Sequence, residues 1–120
     1  MATKLIVDDS PAILHMMELT LKTFGHKVID AVNGFEALSK AEQVHIDMVI
    51  TDVNMPKMDG ITLIGKLREL PQYRYTPMLV LTTESSPEKK LEGKAAGATG
   101  WLVKPFNPEQ LLAAIKKVLP

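Results

Sequence analysis

Four short apolar runs in this sequence each stop on a polar residue. Leu5-Ile6-Val7 ends on Asp8-Asp9, Met48-Val49-Ile50-Thr51 on Asp52, Met78-Leu79-Val80-Leu81 on Thr82-Thr83, and Trp101-Leu102-Val103 on Lys104. A continuous apolar run this short, bounded by charge and turn residues, is the pattern of a strand buried on both faces. Strands of that kind belong to parallel sheets, whose carboxyl ends all lie along one edge. If the four runs are parallel, their polar terminal residues meet there.

The segments between the runs carry helical spacing and helix punctuation. Ser10-Pro11 opens the first, with Ser10 as N-cap and Pro11 at the first helical position. Ile13, Met17, Leu21 and Phe24 follow at the period of an inward face, and Gly25 supplies the left-handed stop. Lys27 to Val32 alternates weakly, as a strand near the sheet margin does. A short helix is expected from Phe35 to Gln43 with Ala37, Leu38 and Ala41 inward, and another from Ile61 to Leu70 burying Leu63, Ile64 and Leu67. Pro71 and Pro77 bracket a polar connection. Ser86-Pro87-Glu88 repeats the cap-then-proline start, for a helix to Ala96 stopped by Gly97. Leu91 is that helix's one aliphatic anchor beside Ala95 and Ala96, so it is expected to be weakly held. After a strand over Gly100 to Lys104, Asn107-Pro108-Glu109-Gln110 forms a capping box. The closing helix then buries Leu111, Leu112, Ile115 and Leu119. Strand and helix alternate five times, which is an α/β (βα)₅ doubly wound sheet in one domain over residues 1–120.

Composition narrows the function classes. Fourteen basic and fourteen acidic side chains cancel, so no global field favours nucleic acid or an anionic membrane. With no cysteine, a disulfide framework and a thiolate metal site are excluded. No apolar run approaches the roughly 20 residues that span a bilayer, and Asp8-Asp9 interrupts the N-terminus too early for a signal peptide. A cytoplasmic location is expected. His15, His26 and His45 lack metal-ligand spacing and read as surface or packing residues, and the methionines as core and turn fillers.

The strand ends carry the chemistry. Positions 8 and 52 are 44 residues apart, enough for two βα units, while 82 lies 30 beyond 52 and 104 lies 22 beyond 82, enough for one unit each. One sheet edge then gathers Asp8, Asp9, Asp52, Thr82 and Lys104. Two carboxylates about 4 Å apart repel by roughly 4 kcal/mol at an effective dielectric near 20. Either their pKa values rise or a cation sits among them. All-oxygen ligands without His or Cys favour Mg²⁺, which accepts a phosphate as co-ligand. Lys104 and the hydroxyl of Thr82 then suit a further anion, and Asp52 becomes a nucleophile for phosphorus.

Taken together, Asp8-Asp9, Asp52, Met55-Pro56, Met58-Asp59-Gly60, Thr82, Ala95-Ala96-Gly97-Ala98 and Lys104-Pro105-Phe106 make the chain resemble the receiver domain of two-component response regulators over essentially its whole length. The likeness is to the stand-alone, CheY-like chemotaxis type in particular. It implies a flavodoxin-like strand order of 2-1-3-4-5 and a phosphoryl group taken by Asp52 from a sensor histidine kinase. It also implies Mg²⁺ ligated by Asp9, Asp52 and the backbone carbonyl of Asn54, with Asp8 assisting. Lys104 would pair with the phosphoryl oxygens, and its bond to Pro105 would be cis. Thr82 and Trp101 would form a switch pair, the hydroxyl moving toward the phosphoryl group while the aromatic ring turns inward, acting on the helix after Ser86, the fifth strand and the last helix. That surface would bind a downstream target, in chemotaxis the flagellar motor switch. Thr83 would narrow access to the phosphoryl group, while Asn54 and Glu84 would tune its lifetime. No output domain follows the last helix, so a monomer acting through a protein partner is expected.

Two other functions compete. A Mg²⁺-dependent aspartyl-phosphate phosphatase or phosphotransferase acting on external substrates would place a second Asp two residues after the nucleophile, where this chain has Asn54. A flavin or nucleotide carrier would place G-x-G-x-x-G or G-x-x-x-x-G-K-[ST] after the first strand, where Asp8-Asp9 stands instead.

Overall fold

The computed structural model describes residues 2–83 and 87–118. Five strands, β1 (Thr3–Val7), β2 (Lys27–Ala31), β3 (Met48–Asp52), β4 (Met78–Thr82) and β5 (Gly100–Val103), pair in parallel in the order β2-β1-β3-β4-β5. Every residue of β1, β3 and β4 is buried, the polar Thr3, Lys4, Thr51, Asp52 and Thr82 at their ends included, whereas β2 and β5 form the half-exposed margins. Exposed Lys27 and Asp30 on β2 put charge on that margin, which discourages edge-to-edge pairing.

Helices cover both faces because the central strands carry apolar side chains on both sides. On one face α1 (Pro11–Thr23) and α5 (Pro108–Val118) lay Leu14, Met17, Leu21, Leu111 and Ile115 over Ile6, Ile50, Leu79 and Leu81. On the other, α2 (Gly34–Gln43) and α3 (Gly60–Arg68) lay Ala37, Ala41, Leu63, Ile64 and Leu67 over Leu5, Val7, Val49 and Val80. The fourth helix, α4 (Pro87–Ala96), lies on this second face but adds only half-buried Ala96 to the core.

The helix starts follow the sequence punctuation. Ser10 Oγ accepts from Ile13 N at 3.4 Å, and Asn33 Oδ1 from Glu36 N at 2.9 Å. At α5 the capping box closes both ways: Gln110 N donates to Asn107 Oδ1 at 2.8 Å, and Asn107 N to Gln110 Oε1 at 2.9 Å. Caps of this kind contribute about 1 kcal/mol each. Gly25 and Gly97 take positive φ, +82° and +113°, as helix stops.

Three expectations need correction. Phe24 does not join the inward face of α1; it is the C-cap and stands 61 % exposed, because the helix ends before its side chain can turn back onto the sheet. Leu91 is 66 % exposed and anchors nothing, and Ala95 is also exposed, so α4 is held even less than its composition implied. The connection after α3 is not merely polar. A short 3₁₀ turn (Pro71–Tyr73) buries Tyr73, whose hydroxyl donates to the carbonyls of Ala41 and Val44 and ties down the end of α2. The expected roles of Ser86 and Leu119 fall outside the described residues.

Candidate functional site

At the carboxyl edge of the sheet, β1 delivers Asp8 and Asp9 and β3 ends on Asp52. Asp8 is fully buried, Asp52 is 4 % exposed, and Asp9 faces solvent. One carboxylate oxygen from each of the three lies within 4.8 Å of the others. Asp8 is fixed locally, since Ser10 N donates to its Oδ1 at 2.9 Å. Lys104 follows β5, where its backbone N donates to Thr82 O at 2.7 Å. Its side chain then reaches across the ends of β4 and β3. Nζ donates to Asp8 Oδ2 at 2.7 Å and stands 3.2 Å from Asp52 Oδ1. The Lys104–Pro105 peptide is cis, as the resemblance implies.

The charges here are out of balance. Burial pushes the Asp52 carboxyl above its usual range, and the neighbouring Asp8 and, more weakly, Asp9 push it the same way; Lys104 offsets only part of this. For Lys104, burial works against the ammonium, but the hydrogen bond and charge of Asp8 and the charge of Asp52 outweigh it and raise its pKa. The ammonium is therefore firmly charged while the carboxylate beside it still lacks cationic compensation. Three crowded carboxylates with no His or Cys donor fit a hard oxygen-seeking cation such as Mg²⁺.

The loop after β3 holds this edge in place. Asp59 is more than a turn residue, because its Oδ1 accepts from Thr62 N at 2.8 Å and caps α3. Gly60 is needed beside it: a Cβ there would collide with the carbonyl oxygen of Asp52. Gly60 N donates to Val53 O at 2.9 Å, so the start of α3 is strapped to the residue that follows Asp52. Lys57 takes φ +72° at the tip, a conformation that costs a non-glycine residue energy. Residue-by-residue reading missed this dependence on Gly60; the Asp-Gly pair was its one local signal.

Thr82 is 1 % exposed at the end of β4. Trp101 pairs in register with Val80. Residues two apart on a strand share a face, so Thr82 and Trp101 lie on the same side of the sheet, the side of α4. Asn54 and Thr83 are exposed beside the acid cluster, while Glu84 lies outside the described residues. The histidines stand apart from the site: His26 Nδ1 is 3.2 Å from Lys4 Nζ, His45 Nε2 is 3.1 Å from Asp47 Oδ1, and His15 is exposed.

Comparison with known proteins agrees with this geometry. The family model described as response regulator receiver domain matches residues 5–116. The chemotaxis response regulator CheY4 of Vibrio cholerae superposes with a TM-score of 0.96 at 55 % identity, covering 99 % of both chains. The chain is 34 % identical to Protein PilG of Pseudomonas aeruginosa over 116 residues, 97 % of this chain and 86 % of that protein. It is 37 % identical to the alkaline phosphatase synthesis transcriptional regulatory protein PhoP of Bacillus subtilis over 115 residues. That match covers 96 % of this chain but 47 % of PhoP, so the chain spans about half the length of that relative.

Proposed function

The chain belongs to the response-regulator receiver family, and from that premise we propose that Asp52 accepts a phosphoryl group from a sensor histidine kinase and so switches the α4-β5-α5 surface. The observation that carries this reading is the placement of Lys104. Its half-buried ammonium bridges Asp8 and Asp52 at 2.7 and 3.2 Å, within reach of any anion formed on Asp52.

An oxygen of the Asp52 carboxylate forms the new O–P bond as the donor's P–N bond breaks. The electron pair leaves with the imidazole, which takes a proton. Lys104 exchanges its contact with Asp52 for the phosphoryl oxygens while keeping Asp8. Asp9, Asp52 and the backbone carbonyl of Asn54, with Asp8 assisting, would hold Mg²⁺, which would supply positive charge against the carboxylates and the phosphoryl group. Thr82 turns its hydroxyl toward the phosphoryl oxygens, and Trp101 shifts in response. Converting such a two-state surface from 1:99 to 99:1 needs about 5.5 kcal/mol of differential stabilisation, and the roughly two added negative charges beside Lys104 are the source of it.

Similarity to a chemotaxis response regulator supports a partner class. A target in motility control, reached in the cytoplasm, is the corresponding reading for this chain. No helix among the described residues is long and apolar enough to cross a membrane. The test is intact mass after treatment with a small phosphodonor and Mg²⁺. The wild-type chain should gain the mass of one phosphoryl group and Asp52→Asn should gain none; equal uptake by both removes Asp52 from its role.

A further inference from the structure

Gly93 is the one buried residue of α4, and the indole of Trp101 is what buries it. A Cβ at position 93 would overlap Trp101 Cζ3 and lie 3.2 Å from Cη2. The obstruction is the benzo edge of a rigid indole, met at Cζ3, so the whole ring or the helix backbone must move to relieve it. Leu91, the helix's one large aliphatic side chain, does not share this burial, since it stands in solvent. The C-terminal end of α4 is fixed separately. Arg68 donates through Nε and Nη2 to Gly97 O at 3.1 and 2.7 Å and through Nη1 to Tyr73 O at 2.7 Å.

The ring is held in its slot imperfectly. Trp101 Nε1 is buried without a hydrogen-bond partner among the described residues. A donor kept from water with no acceptor opposes the seated conformation. Packing against Gly93 and the N–H without a partner therefore pull in opposite directions, so the seating of the ring depends on how closely the slot fits it.

We propose that Gly93 is the positioning residue for Trp101. The missing side chain at that point of α4 forms the slot that seats the indole in the unphosphorylated protein, so ring and helix cannot both keep their places once the slot is filled. The seating itself does not depend on the phosphoryl switch; its consequence for signalling rests on the reading of Thr82 and Trp101 as the switch pair.

Trp101 is the chain's single tryptophan, so its fluorescence reads the slot directly. Without phosphodonor, Gly93→Ala should move the emission to longer wavelength and raise the acrylamide quenching constant relative to wild type. If α4 yields instead of the ring, the cost appears as stability. Gly93→Ala should then lower Tm in the Trp101 background but raise it in a Trp101→Ala background, where alanine's better helix propensity acts unopposed. A Gly93→Ala chain that folds only when Trp101→Ala accompanies it gives the same result. Unchanged emission and quenching, with Tm raised equally in both backgrounds, overturns the proposal. Phosphodonor treatment separates the two readings. Wild-type emission that ignores phosphorylation of Asp52 refutes the switch pair and leaves the slot standing; Gly93→Ala that loads phosphoryl normally with a reduced emission change supports both.

Discussion

Replacing Asp52 with Asn should stabilise the unliganded protein, although it removes a group in contact with Lys104. At an effective dielectric near 20, an Asp8 oxygen within 4.8 Å repels the Asp52 carboxylate by about 3.5 kcal/mol, while Lys104 at 3.2 Å returns about 5 kcal/mol. On these two contacts alone Lys104 leads by about 1.5 kcal/mol. Burial of the charge, its largest perturbation, and the weaker push of Asp9 then decide the sign, which is why the carboxyl sits above its usual range. A folded pKa above the unfolded value means that ionised Asp52 subtracts stability at neutral pH. The deficit is recovered as pH falls from the raised folded value toward the ordinary aspartate value of about 3.9. Asp52→Asn removes the deficit and leaves Lys104 its shorter bond to Asp8. The expected gain at pH 7 without divalent cation is about 1 kcal/mol, or a Tm higher by about 4 °C, and the variant's stability should vary less with pH across that acidic window. Mg²⁺ should reverse the order of sensitivity. At ten times its Kd, it should stabilise wild type by about 1.4 kcal/mol and the variant much less. Thermal melts with and without Mg²⁺ measure both effects. An Asp52→Asn protein that melts below wild type in the absence of metal, and that responds to Mg²⁺ equally, would refute the claim of uncompensated charge.

Lys104→Met leaves buried Asp8 and Asp52 without their cation; denaturant melts should show a loss of about 2–4 kcal/mol, with Mg²⁺ restoring more stability than it adds to wild type. Lys57→Asn at the positive-φ tip should raise stability by roughly 0.5 kcal/mol, about 2 °C in Tm, because asparagine tolerates that backbone better than lysine. Burial, and secondarily the charge of Lys4, holds the His26 imidazolium below its ordinary pKa. His26 should thus titrate below about 6.5 by NMR. Its contribution to stability is complete above that value and is lost as pH falls through the depressed one; His26→Gln should remove that slope, and an ordinary midpoint would contradict the assignment.

What could be read from the sequence was whatever the strand ends encode. An apolar run stopping on Asp8, Asp52, Thr82 or Lys104 fixes both the strand and the edge at which its last residue stands, because parallel pairing leaves no freedom in which ends meet. Caps such as Ser10 and Asn107 were legible for the same reason: donor and acceptor lie three residues apart. The misreadings involve partners distant in sequence. Phe24 and Leu91 have the residue type and spacing of core positions, but burial depends on what stands opposite, and nothing covers them. Tyr73 lies in a proline-bracketed connection whose polarity conceals a hydroxyl bound to carbonyls roughly thirty residues away. Gly60 and Gly93 matter through close approach to the Asp52 carbonyl and the Trp101 ring, contacts that no local pattern announces.

The central claim is that Asp52 itself carries the phosphoryl group. An acyl phosphate, unlike a phosphoester, is reduced by borohydride to an alcohol, so an aspartyl phosphate becomes homoserine. After phosphodonor and Mg²⁺ treatment, reduction and peptide mapping should place homoserine at position 52 and nowhere else. Homoserine at position 8 or 9, or a phosphorylated chain with no reducible aspartate, would contradict it.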